Sequence, residues 1–197
     1  MNYNINLLNN LANDIRICKL CHLSNFRKKA VPGEGGFRKQ LMIIGEAPGF
    51  YEDQAGRPFI GAAGKILRKI LKKYDIDEDD VFITNIVKCR PPNNRQPKNE
   101  EKDLCTKYLD KQIELLQPRL ICILGNIASS YILGLKSLTH HRGKIIKKDH
   151  RKYFITYHPA ATIYNRQLLS TFENDIKNLA EIINKIDFDQ YENNNIG

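Results

Sequence analysis

"MIIGEAPGFYEDQAGRPFIGAAGKIL", residues 42–67, decides the fold. A short apolar strand, closing at Gly45, runs straight into a turn rich in glycine and acid, and a helix opens near Ala62. Glu46, Glu52 and Asp53 therefore gather at a strand exit, in a chain that is otherwise strongly basic.

The same alternation continues outward. "VFITNIVKC" (81–89) and "RLICILG" (119–125) read as further strands, and "GKIIKKD" (143–149) and "KYFITYHP" (152–159) suggest two more. Helical spacing marks "AAGKILRKILKKYD", the stretch from about Glu100 to Leu116, "NIASSYILG", and a closing helix with Leu169, Phe172, Ile176, Leu179 and Ile183 on one face. An amphipathic helix carrying Ile5, Leu8, Leu11, Ala12 and Ile15 leads into Cys18. Strands alternating with helices predict a three-layer α/β/α fold around a central, mostly parallel sheet of about four strands. A single domain is expected over residues 1–186, with a flexible tail at 187–197.

Ligands in such folds bind beyond the carboxyl ends of the strands. That rule selects the loops 45–64, 88–97, 125–126 and 158–166. The acidic loop and His158 are thus expected to meet in one cleft.

Composition narrows the partner. Lys plus Arg number 31 against 22 Asp plus Glu, a formal charge of +9. Such an excess attracts polyanions, of which nucleic acid is the commonest in a cytosol, although it also serves solubility. No apolar run approaches the roughly 20 residues that span a bilayer. The first residues lack the basic and apolar regions of a secretory signal, so a cytoplasmic location is expected.

Five cysteines in a reducing compartment do not suggest a disulfide framework. Cys122 lies inside an apolar strand and reads as a core thiol. Cys18, Cys21, Cys89 and Cys105 have polar or loop-like neighbours and suggest a four-ligand site. A zinc ribbon would repeat the C-x-x-C, whereas iron–sulfur ligation tolerates wider spacings; spacing alone leaves the metal open. The glycine-rich loop is no Walker A motif, because Gly64-Lys65 is followed by Ile66, and it lacks the dinucleotide G-x-G-x-x-G.

Together, "GEAPGFYED", "GRPFIGAAG", "TNIVKCRPP" and "HPAA", with cysteines at those four places, closely resemble the family 4, iron–sulfur uracil-DNA glycosylases. The likeness spans about Ile15 to Ile183. It implies a DNA-repair hydrolase that flips uracil from single- or double-stranded DNA and cleaves its N-glycosidic bond. By this resemblance Phe59 stacks on the base, Asn85 pairs with its polar edge, Glu52 packs near C5 against a thymine methyl, and the turn Ala47–Gly49 contacts the base through backbone N–H groups. His158 stabilises the developing oxyanion. Glu46 or Asp53 orients water or steadies the sugar cation, with Glu46 favoured, since the aspartate of the best-studied branch is replaced by Ala47. Lys88, Arg90 and Arg95 are expected at DNA phosphates, and Tyr164 or Arg166 at the gap left by the base. The four cysteines match the ligands of a structural [4Fe–4S] cluster.

Two competing readings remain. A covalently trapping relative carries a histidine on an inserted basic loop, but "CRPPNNRQPKNE" has neither, and Ala47 stands where that relative typically has glutamine. A non-catalytic iron–sulfur DNA-binding module would not require Glu46, Asn85 and His158 together. A monomer is expected; sliding-clamp or downstream repair partners are not specified by the sequence.

Overall fold

The structure is a computed structural model that describes the backbone of residues 2–194 and the side chains of residues 5–185. Five strands form its centre: β1 (Leu41–Gly45), β2 (Val81–Asn85), β3 (Leu120–Leu124), β4 (Ile145–Lys148) and β5 (Arg151–Thr156). They lie in the order β2-β1-β3-β5-β4, all parallel except β4, which runs antiparallel to β5 at one edge. The fifth strand goes beyond the four expected. "GKIIKKD" adds to the sheet through a hairpin rather than a crossover, so it extends the edge without needing a helix over it.

Side chains alternate between the two faces of each strand. Leu41 and Ile43 enter one core with Leu67 and Ile70 of α3 (Ala62–Lys73) and Phe172, Ile176, Leu179 and Ile183 of α7 (Gln167–Asn194). Met42 and Ile44 enter the other, with Ile15 of α1 (Asn2–Ile17) and Leu109 and Ile113 of α4 (Asn99–Leu116). Two apolar layers thus clamp one sheet. α7 continues to Asn194, so residues 187–194 of the expected tail are helical, while 195–197 lie outside the described residues.

Register brings the strand exits level. Gly45 pairs with Asn85, and Leu124 with Thr156. The chain leaves β1 for β2 on one side and returns to β3 on the other, so β1 is the switch point where a crevice must open. Asp175 of α7 secures the β5 exit: it accepts the Thr156 hydroxyl at 2.8 Å and the Arg142 guanidinium at 2.6 Å.

Candidate active site

Above that crevice lies a cavity of about 320 Å³, lined by Glu46, Ala47, Gly49, Glu52, Phe59, Asn85 and His158 among others. This is near the low end of the roughly 300–1,000 Å³ found for small-ligand sites. The residues come from three strand exits and two turns separated by over a hundred positions in sequence.

Asn85 ends β2 and is 1% exposed. Its Oδ1 has no hydrogen-bond partner, a condition met by no other buried side-chain N or O atom among the described residues. Buried polar atoms are nearly always paired, so one facing a cavity calls for a ligand donor. Phe59 stands beside it with φ of +52°, an uncommon left-handed conformation for an aromatic residue. Gly45 and Gly64 make room. A Cβ on Gly64 would sit 1.9 Å from the Phe59 carbonyl oxygen, so only glycine lets α3 pack against that turn.

His158 follows β5 and caps α6 (Pro159–Tyr164). Its Nδ1 accepts the Ala160 backbone N–H at 3.2 Å, which leaves Nε2 to carry the proton of the neutral ring. Its ring centroid is 5.6 Å from that of Phe59. Burial lowers its pKa to about 4, against a weak opposing pull from Glu52. The imidazole is therefore a neutral donor at physiological pH. Gly125, at φ +92°, makes this approach feasible, since a Cβ there would meet His158 Cβ at 2.9 Å.

The three acids separate in role. Glu46 lines the cavity, and burial raises its pKa, with Lys102 partly offsetting this. Glu52, in α2 (Phe50–Ala55), also lines it, but its Oε1 accepts the N–H groups of Ile60 at 2.9 Å and Gly61 at 2.8 Å. The carboxylate is thereby fixed as a rigid wall. Asp53 is not among the lining residues; it is buried and accepts the Lys28 N–H at 2.9 Å. It faces away from Glu52, because helical spacing turns adjacent residues about 100° apart.

Cys18, Cys21, Cys89 and Cys105 line one common cavity between α1, α4 and the loop after β2. Among the described residues no group of three or more His, Cys, Asp or Glu could hold a metal ion as they stand. A mononuclear site needs every sulfur about 2.3 Å from one centre, whereas a polynuclear cluster sits inside a wider ring of thiolates. The donor set fits the latter. Arg27 Nη1 donates to Cys89 Sγ at 3.0 Å, and the Lys88 N–H to Cys105 Sγ at 3.3 Å, both suited to anionic sulfur. Burial, helped by the neighbouring Cys105 and Cys21 and partly offset by Arg27, pushes the free Cys89 thiol up to about 11, so such thiols ionise readily only with a cation to bind.

Residues 32–185 match the Uracil DNA glycosylase superfamily. The chain belongs to that superfamily. It is 43% identical to the Type-4 uracil-DNA glycosylase of Sulfurisphaera tokodaii, covering 89% of this chain and 84% of that one. The Type-4 enzyme of Pyrobaculum aerophilum is 45% identical over 82% of this chain and 87% of its own length. That of Archaeoglobus fulgidus is 37% identical over 90% and 94%.

For this superfamily member the expected DNA-facing residues divide. Arg95 lines the cavity and pairs with buried Glu101, and Tyr164 is 91% exposed at its rim. Arg166 is exposed. Arg90 lies over the Phe50 ring at 5.2 Å and donates to Asn94 Oδ1 at 2.7 Å. Lys88 does not face phosphate: it is 1% exposed, and its Nζ donates to Thr84 Oγ1, the Asn85 carbonyl and Gln112 Oε1 at 2.6–2.7 Å. Its three N–H groups find three oxygens, which is why a lysine survives there although burial lowers its pKa to about 7. Gln112 and Gly45 were not singled out in the sequence. Gln112 sits on a core-facing helix turn, and a lone polar residue in that apolar stripe is the signal that marks it.

Proposed function

We propose that this protein excises uracil from DNA by hydrolysing the N-glycosidic bond, leaving free uracil and an abasic site. One observation carries the reading: the unpartnered, buried Asn85 Oδ1 in a cavity sized for a small ligand. Uracil N3–H supplies the missing donor, and the same carboxamide donates to O4. Cytosine presents the reverse order and leaves both groups opposed.

Flipping the nucleotide costs a few kcal/mol, least from a mismatch or single strand. Phe59 then covers the ring. Glu52, held by Ile60 and Gly61, stands near C5 and leaves no room for a thymine methyl. As the bond breaks, negative charge grows on the base, and the His158 Nε2–H meets it at O2; a preorganised donor of this kind contributes about 3 kcal/mol. Glu46 orients the attacking water and steadies the cationic sugar. Arg90, Arg95, Tyr164 and Arg166 hold the strand around the gap.

Cys18, Cys21, Cys89 and Cys105 would hold a [4Fe–4S] cluster, which supplies a rigid tie between α1, α4 and the loop leading to Arg95. The protein acts as a monomer in the cytoplasm, where the net charge of +9 draws it to DNA.

The test uses end-labelled oligonucleotides carrying U, T or C at one site. Alkali-labile cleavage at U alone is the expected result. A heat-stable covalent band would favour trapping, and neither product nor adduct from iron–sulfur-replete protein would overturn the reading.

A further inference from the structure

The hairpin of β4 and β5 carries charge that the cleft does not use. Asp149 and His150 both adopt left-handed backbone, at φ +48° and +62°, which closes the two strands through a two-residue turn. Pairing of β5 with β3 begins only at Tyr153, so Arg151 and Lys152 project past the sheet with β4 as a two-stranded tongue. Every residue from Lys147 to Lys152 is exposed.

Between Lys144 and Lys152 stand five cations and one acid, Asp149. The register sets Lys147 directly across from Lys152 and Lys148 across from Arg151. Like charges placed opposite each other destabilise a strand pair. Elsewhere arginines are neutralised, as in Arg38–Asp80, Arg57–Glu34 and Arg142–Asp175. Here Lys148 reaches a neutral carbonyl, that of Ile132. Lysine on an edge strand blocks edge-to-edge pairing, but one lysine suffices for that, and here lysines stand on both strands of the hairpin, facing each other. Arg151 is drawn toward Asp110 and the Tyr153 hydroxyl, so the facing pair Lys147 and Lys152 is the charge left without an internal purpose.

This tongue lies at the amino end of β5, and His158 beyond its carboxyl end. The six steps along the chain from Lys152 to His158, at ~3.3 Å each, separate them by about 20 Å and face them in opposite directions. We propose that the β4–β5 hairpin is a second contact for the DNA phosphate backbone, so that one molecule engages two duplex segments at once. It rests on DNA being the protein's polymer partner. Phosphates on a neighbouring duplex relieve the cross-strand repulsion, and a bridging molecule passes between segments without full release.

The closing experiment measures binding to undamaged duplex across a salt series, for the full chain and for Lys147→Glu/Lys152→Glu. That double variant keeps a charged edge and an equal like-charge pair, so edge protection and fold are preserved. Each phosphate contact contributes ~0.9 to the slope of log affinity against log salt; the slope is expected to fall by about 1–2, with at least tenfold weaker binding at low salt. Bridging of two differently labelled duplexes is expected to disappear, while excision from a short single-stranded uracil oligonucleotide stays parental. Lys147→Glu alone, which faces Lys152, is expected to melt at or above the parental temperature while still weakening duplex binding. Parental slope and bridging in the double variant would overturn the proposal. So would a parallel loss of excision on the short oligonucleotide, which would mean one continuous path. Because binding to undamaged DNA is read without chemistry, a protein that binds through the hairpin yet leaves uracil in place would sink only the glycosylase reading.

Discussion

A Cβ added to Gly45 would lie 2.4 Å from Asn85 Oδ1 and 2.6 Å from Phe59 Cζ. The last residue of β1 is thus kept bare so that the base-reading amide and the stacking ring can occupy the space above it. Gly45→Ala is expected to lower kcat/KM for uracil at least tenfold. Overpacking of this kind costs about 1–3 kcal/mol of stability, so steady-state kinetics and a thermal melt together check it.

Asn85→Ala separates function from stability. A buried unpaired acceptor costs about 1–3 kcal/mol in the free protein, and the substitution removes it. Uracil excision is expected to fall by two to three orders of magnitude, about 3–4 kcal/mol at 1.4 kcal/mol per tenfold, while the melting temperature holds or rises. A matching loss of stability would remove the amide from its assigned role.

His158 predicts a pH signature. Its folded pKa of about 4 lies below the unfolded value near 6.5. Between those limits the unfolded chain binds the proton and the folded one does not. The stability this ring permits is therefore full above about pH 6.5 and lost as pH falls toward 4. Excision should show no His158 titration between pH 6 and 8. His158→Gln is expected to flatten the stability profile below pH 6.5 in denaturant titrations and to slow excision about a hundredfold or more.

The neighbouring acids should behave oppositely. Glu46→Gln is expected to reduce kcat by about 10²-fold with little change in melting, as for loss of a positioned acid–base group. Asp53→Asn weakens the tie to Lys28, so it should lower the melting temperature and leave kcat within a few-fold. Kinetics on both variants at pH 7.5 decide between them.

Cys105→Ala is expected to abolish the visible iron–sulfur absorption of anaerobically purified protein and to lower its melting temperature by several degrees. Chelation of iron from the parent should do the same. Unchanged spectra would dissociate these cysteines from the cluster.

Local pattern carried much of this protein. The strand-then-glycine-turn order of residues 42–67, the repeated strand–helix alternation and the short continuously apolar strands point to a parallel α/β sheet, because helices on both sides bury both strand faces. The same rule about strand exits brought the acidic loop and His158 toward one cleft, while Asn85 was legible only through the family resemblance. Tertiary structure decided what spacing cannot express. Lys88 reads as a surface cation, yet it turns inward because Thr84 and the Asn85 carbonyl on β2 and Gln112 on α4 together offer it three oxygens. Asp53 and Glu52 are adjacent in the chain and part company on a helix turn, one toward Lys28 and the other toward the cavity wall. The bareness of Gly45, the orphaned oxygen of Asn85 and the opposed lysines of the hairpin are relations between strands, and relations between strands exist only once the register is set.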